Sequence, residues 1–267
     1  METTKKTKEM DMLNGGLAGK LILFSIPLAF SSILQQLFNS ADVAVVGRFA
    51  GDRALAAVGS CVALVGIFVN LIVGFSVGPN AVLANLIGQK RRDKINRMLH
   101  TIMAFGLIAG VILMGLGMLS AKPILEVSGT PESVMNEALL YIRIYFIGIP
   151  FMMIYNFGSA VLRSFGDTRR PMYYLILSGT VNVILNLILV IYFKLGVAGV
   201  AIATVISNIL SAGLVLIYLY RREDEFQFRP QRLHIEKEDL KKVLVIGIPA
   251  GICLLYTSPS PRDTERS

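Results

Sequence analysis

Apolar residues fall along this chain in long blocks with short polar stretches between them. The blocks cover roughly 17–46, 54–87, 98–119, 137–162, 172–193 and 197–220. Crossing a bilayer core takes about 20 predominantly apolar residues in a helix, so each block reads as a membrane span. The pattern predicts an all-α polytopic protein with six spans. The second block is longer than a span needs, and Gly74, Gly78 and Pro79 are expected to bend it. Polar or turn-forming stretches at 47–53, 88–97, 121–136 and 163–171 are expected loops, and the fourth block contains Pro150. A charged stretch, 221–242, then leads into a seventh apolar run from 243.

The polar positions inside these blocks are not scattered. In the first block Ser32, Gln35, Asn39 and Asp42 are spaced by three, four and three, which is one face of a helix, with Pro27 below them. An ionised Asp facing lipid would cost about 2.5–3.5 kcal/mol on insertion scales, so Asp42 is expected to face protein or water. The default for an acid inside a membrane is an ion or substrate site. The alternative is a structural Asp satisfied by an Arg neighbour or a helix cap. Asn182 and Asn186 lie four apart in the fifth block, with Ser178 and Thr180 extending the polar side. They could hold a neighbouring carboxyl or an ion, or act as interhelical glue. Thr204, Ser207, Asn208 and Ser211 form a similar stripe on the sixth block, where packing is the plainer role. In the fourth block, Arg143 fits snorkelling to the interface and Tyr141 an aromatic belt. Tyr155 is a candidate for a cavity wall facing a flat cation.

Composition adds to this picture without changing it. The 267 residues are 54% hydrophobic and 16% charged, against roughly 25% charged for soluble domains. A net charge of +8 could suggest nucleic acid. The basic residues instead cluster in alternate short loops: 5–20, 90–97, 163–170 and 221–242. The opposite loops hold only Arg48, Arg53, Lys122 and Lys194. That asymmetry predicts a cytoplasmic N-terminus and leaves no case for a nucleic-acid partner. Cys61 and Cys253 lie in apolar sequence and imply no disulfide framework, and His100 and His234 are too isolated for a metal site. No catalytic or nucleotide-binding motif is present, so the chain is not expected to be an enzyme.

One internal similarity bears on organisation. Lys20 to Pro27 reads KLILFSIP, and Lys242 to Pro249 reads KVLVIGIP. A six-helix unit starts again at the seventh run, as in transporters built from repeats. The expected plan is a polar lead (1–16), a six-helix lobe (17–220), an inter-lobe linker (221–242) and the start of a second lobe (243–253). The stretch 254–267, rich in Pro, Ser and charge, resembles the translated read-through of a sequencing adapter and is expected to be non-native. The alternative is a genuine short tail.

Several spaced motifs together resemble the multidrug and toxic compound extrusion (MATE) transporters. They are Pro27 with Asn39-Ser-Ala-Asp42, the run Gly78-Pro-Asn-Ala-Val-Leu-Ala-Asn-Leu-Ile-Gly88, and Arg163-Ser-Phe-Gly-Asp-Thr168 with Pro171. Asn182-Val-Ile-Leu-Asn186 and Gly196-Val-Ala-Gly-Val-Ala-Ile-Ala-Thr204 complete the set. The resemblance implies a two-lobe, twelve-helix antiporter of the cytoplasmic membrane that exports organic cations in exchange for H⁺ or Na⁺. It needs no other cofactor or metal, and the carboxy-terminal lobe would be missing from this chain. The resemblance also ties Asp42 to cation coupling, with Asn182, Asn186 and Thr204 around it and Gln35 and Asn39 on the same face. Pro27 would help α-helical bending there. Some members carry Asp at the position of Asn186, so a two-carboxylate relay is not expected here. A lipid-linked-oligosaccharide flippase of the same broad superfamily, which should line its cavity with several basic residues, and a non-transport membrane protein are the alternatives.

Overall fold

The structure is a computed structural model and describes residues 17–222 and 227–256; the expected polar lead and most of the expected tail lie outside them. Among the described residues the protein is helical throughout: α1 (Leu17–Phe49), α2 (Asp52–Gly88), α3 (Arg92–Val127), α4 (Glu132–Ile147), α5 (Ile149–Ser164), α6 (Arg169–Leu187), α7 (Gly196–Tyr220) and α8 (Lys237–Tyr256). A π-helical turn, Ile188–Tyr192, continues α6. Five of these helices (α6 counted with its π turn) are long and apolar enough to cross a membrane, and α4 with α5 make a sixth span bent by 43°.

The fourth span is therefore two helices rather than the single one expected from 137–162. Pro150 sits at the second position of α5. It has no N–H to offer the preceding turn, and its ring crowds the carbonyl four residues back. Gly148 fills the break, and its amide bonds Tyr145 O at 2.9 Å. Elsewhere the helices are longer and the loops shorter than expected. α3 runs through Pro123 to Val127, so the expected loop 121–136 shrinks to four residues, 128–131. The basic loop expected at 88–97 shrinks to three residues, 89–91. α8 starts at Lys237, inside the stretch taken as linker, and continues to Tyr256, into the stretch taken as tail.

α5 forms the centre. Met153, Phe157, Ala160, Val161 and Leu162 are fully buried, and α2, α3 and α7 pack around them. The outward faces of α1, α3, α6 and α7 carry exposed Ile33, Ile112, Leu116, Ile184 and Ile217. That is the pattern of helices facing lipid, where apolar side chains need no protein cover. Basic residues gather at one end of the bundle, here called the basic end. There Arg163-Ser-Phe-Gly-Asp-Thr-Arg-Arg turns α5 into α6. Gly166 adopts φ +82°, which a side chain would resist. The buried Asp167 carboxylate accepts the Arg170 N–H at 3.1 Å and also pairs with the Arg170 guanidinium. That guanidinium lies over the Tyr218 ring at 4.4 Å, tying the turn to α7.

α2, in which Gly74, Gly78 and Pro79 were expected to bend the span, runs from Asp52 to Gly88, and its two glycines form a seat. A Cβ at Gly74 would overlap the Gly251 backbone, and one at Gly78 would overlap Val243 O and crowd the Gly247 backbone. The two four-residue glycine spacings run antiparallel and let the backbones of α2 and α8 meet. Small residues at such spacing are a recurrent way for membrane helices to pack closely.

Candidate functional site

A steric contact between α1 and α6 sets the register of the polar site. The Phe38 ring of α1 occupies the space that a Cβ at Gly179 of α6 would fill. Asp42 is one turn beyond Phe38, while Asn182 and Asn186 follow Gly179 at intervals of three and four. Seating Phe38 on Gly179 therefore brings Asp42 to Asn186. Asn186 Nδ2 donates to Asp42 Oδ1. The same nitrogen donates to Asn182 Oδ1 at 3.3 Å, and Asn182 Nδ2 donates weakly to Thr204 Oγ1 on α7 at 3.5 Å. Thr204 Oγ1 then donates to Val200 O at 3.0 Å. One chain of side-chain hydrogen bonds thus crosses three helices.

Asn186 is fully buried, and its Oδ1 has no hydrogen-bond partner among the described residues. A buried carbonyl oxygen without a donor costs free energy, and here it lies on the amide that holds a carboxylate. Among the described residues no cation pairs with Asp42, so the Arg neighbour of the structural alternative is not found. The oxygens of Asp42 and Asn186 together are a donor set suited to a hard monovalent cation or a proton.

The structure gathers some of the expected residues and not others. Asp42, Asn182, Asn186 and Thr204 come together. Asn39 is exposed and Gln35 half-buried, and neither hydrogen-bonds Asp42. Ser32 Oγ turns back to Leu28 O at 3.2 Å on its own helix. Pro27 is buried within a continuous α1, and its carbonyl accepts the Ser31 hydroxyl at 2.7 Å. Tyr155 is a correction. Its hydroxyl donates to Pro171 O at 3.0 Å, at the basic end of α6. Asn182 is eleven residues further along that helix, roughly 16 Å at 1.5 Å per residue. The phenol is held at the opposite end of α6 from the Asp42 site, so it is no wall of that site.

Tyr141 and Tyr145 are both buried on α4, and their rings stack at 6.2 Å. Tyr141 was expected in an aromatic belt. Its four-residue spacing from Tyr145 was the available signal that the two share a face. The π turn that begins two residues after Asn186 had no sequence signal. Such turns are frequent next to functional sites because they widen a helix locally.

Comparison with known proteins fits this geometry. The MatE family model matches residues 27–188. "Probable multidrug resistance protein YoeA" of Bacillus subtilis is 33% identical over 245 residues, covering 89% of this chain and 53% of that protein. A crystal structure of a MATE protein in the bent conformation superposes with TM-score 0.87 at 26% identity, over 95% of this chain and 57% of that one. A MOP superfamily transporter from Pyrococcus furiosus gives TM-score 0.86 at 25% identity, over 95% and 56%. The chain spans about half the length of the curated relatives it matches. The family match begins at the proline of α1 and ends two residues past Asn186, enclosing every member of the hydrogen-bonded chain but Thr204: this protein belongs to the MatE family of transporters.

Proposed function

We propose that this chain supplies the ion-coupling lobe of a multidrug exporter that exchanges organic cations for H⁺ or Na⁺. The observation that carries this is the Asp42–Asn186–Asn182–Thr204 chain with the unpartnered Asn186 Oδ1 beside it. The multidrug names of its relatives supply the substrate class. The positive-inside asymmetry supports a cytoplasmic N-terminus in the cell membrane, with the basic end facing the cytoplasm.

The mechanism follows from what the charge on Asp42 does. Ionised, Asp42 holds the Asn186 amide by a charge-assisted bond, which is about twice as strong as a neutral one. A proton or Na⁺ on Asp42 neutralises that charge and weakens the only side-chain hydrogen bond joining α1 to α6 among the described residues. α1 is then free to repack, and Pro27 eases the movement because it leaves a backbone carbonyl of the preceding turn without its helical donor. Repacking releases a bound organic cation outward. Leaving the ion on the opposite side restores the carboxylate and resets α1.

The test uses the full-length parent protein in proteoliposomes, with efflux of a fluorescent organic cation driven by an imposed pH or Na⁺ gradient. Asp42→Asn is expected to reduce gradient-driven efflux to the level of empty vesicles while membrane insertion stays normal. Wild-type efflux in Asp42→Asn would overturn the proposal. Comparing the two gradients in the wild type identifies the ion.

A further inference from the structure

The stretch 228–239, which leads into and opens α8, is fastened to a single turn of α3. Arg97, His100 and Thr101 lie at intervals of three and one, on one helix face at the basic end. Each receives a different part of the segment. Arg97 Nε bonds Asp239 Oδ2 of α8 at 3.0 Å, and the buried Asp239 also holds Lys242 at 3.1 Å. Thr101 Oγ1 accepts the Glu236 N–H at 3.3 Å. The Phe228 N–H donates to Leu219 O at the end of α7 at 3.0 Å, and its buried ring stacks on His100 at 5.5 Å. His234 stacks on the same imidazole at 6.4 Å.

His100 itself is 1% exposed, and both ring nitrogens are engaged. Nε2 receives the Arg229 backbone N–H at 3.1 Å. A backbone N–H can only donate, so Nε2 must present its lone pair. The ring proton is then on Nδ1, 2.8 Å from the Asn96 carbonyl it donates to. Only the neutral imidazole in this one tautomer fits. A second proton would set an N–H on Nε2 against the N–H of Arg229. Among the described residues, the charged and titratable groups at this seat are Arg97 on the same helix, Asp239 and Lys242 on α8, and Arg229, His234 and Glu236 on the linker. Arg163 closes the end of α5, and Arg222 lies just beyond α7. Asp239 is already shared by Arg97 and Lys242, and so is not free to meet a new charge on His100.

The geometry points to an acid-released latch: neutral His100 docks the linker onto α3, and protonated His100 lets it go, freeing the first turn of α8. Histidine is the side chain that changes charge between about pH 5 and pH 8. The latch is a separate device from Asp42 and does not depend on which ion couples transport. On the orientation proposed above, it reads the cytoplasmic side.

The experiment is a pulsed spin-label distance measurement on the full-length protein, with labels at Arg91→Cys and Gln231→Cys, both exposed positions, and other reactive cysteines replaced. Near pH 8 the wild type is expected to give one narrow distance. Near pH 5 it should lose most of that population to a broad one. His100→Gln, whose amide oxygen can still accept from Arg229 but takes up no proton, is expected to stay narrow at both pH values. His100→Lys, a fixed charge, is expected to be broad at both, and it decides the matter with the wild type if His100→Gln does not fold. His234→Gln and Glu236→Gln should keep the wild-type response. A wild-type distance that does not change with pH overturns the latch, as does His100→Gln responding like the wild type or His100→Lys staying narrow near pH 8.

Discussion

α1 and α8 begin with nearly the same words, KLILFSIP and KVLVIGIP, and are held in different ways. α8 lies backbone to backbone against α2 through Gly74 with Gly251 and Gly78 with Gly247. At the corresponding places in α1 stand Ser25 and Ala29, and both are exposed. So are Ile22, Ile26 and Ile33 along the same flank. α1 is held instead by Phe38 on Gly179 and by the Asp42–Asn186 bond. In lipid, burying an apolar face against protein gains little over leaving it in hydrocarbon, so close packing and polar bonds decide which helices associate. Backbone packing does not depend on the charge of any group. A carboxylate–amide bond does. α8 thus has the attachment of a fixed strut, and α1 is the helix whose attachment depends on the charge of a carboxylate.

The largest effect should come from breaking the strut. Gly74→Val or Gly78→Val puts a side chain where α8 has its backbone, and neither backbone can yield cheaply. Overpacking of this kind costs about 1–3 kcal/mol and occasionally more. The expected outcome is a marked drop in the melting temperature and yield of the full-length protein. Gly66→Val on the same helix, where a Cβ meets nothing within 4 Å, is the control and should change little. Equal melting temperatures for Gly78→Val and Gly66→Val would show that α8 does not depend on this seam.

The middle effect should come from the α1 register. Gly179→Val pushes the Phe38 ring off α6 and carries Asp42 away from Asn186. Because α1 is lightly held, the protein is expected to fold and insert while gradient-driven efflux falls about tenfold, equivalent to about 1.4 kcal/mol. Adding Phe38→Ala makes room for the valine and should recover part of the loss. If the double variant is no better than Gly179→Val, Phe38 is not what aligns the site.

Those two glycine contacts also show what the sequence carries and what it does not. The spans were legible because apolar block length is a one-dimensional property set by bilayer thickness. The site was half legible. Asp42, Asn182, Asn186 and Thr204 stand out as polar positions in apolar helices, and their face can be read from their spacing. Gln35 and Asn39 share that spacing and make no hydrogen bond to Asp42, because a face more than one side chain wide does not say which member meets a neighbour. Tyr155 failed for a different reason: its partner is the backbone carbonyl of Pro171, and since every residue carries such a carbonyl, a sequence does not mark which one a hydroxyl will meet. The glycines of α2 were read as bends because a glycine in a helix tolerates bending. Only the matching spacing in α8, an element outside the six expected spans, reveals them as a seat.

The smallest effect concerns how far the α1 attachment extends. Asn182→Ala removes the bridge between Asn186 and Thr204, two bonds of 3.3 and 3.5 Å. Hydrogen bonds between membrane helices average about 0.6 kcal/mol, so a loss of efflux of a few-fold is expected. Thr204→Val keeps the shape of the side chain and removes the longest bond between side chains together with the hydroxyl's bond to Val200 O on its own helix, and its expected effect is within twofold. Efflux by both single variants and by the double variant gives the coupling between the two sites. If Thr204→Val costs as much as Asn182→Ala and the double variant costs no more than either, the chain acts as one unit, and α7 belongs with α1 and α6 in the part that moves. If Thr204→Val is silent, the responsive element ends at Asn182, and α7 stays with α2, α5 and α8 in the fixed frame.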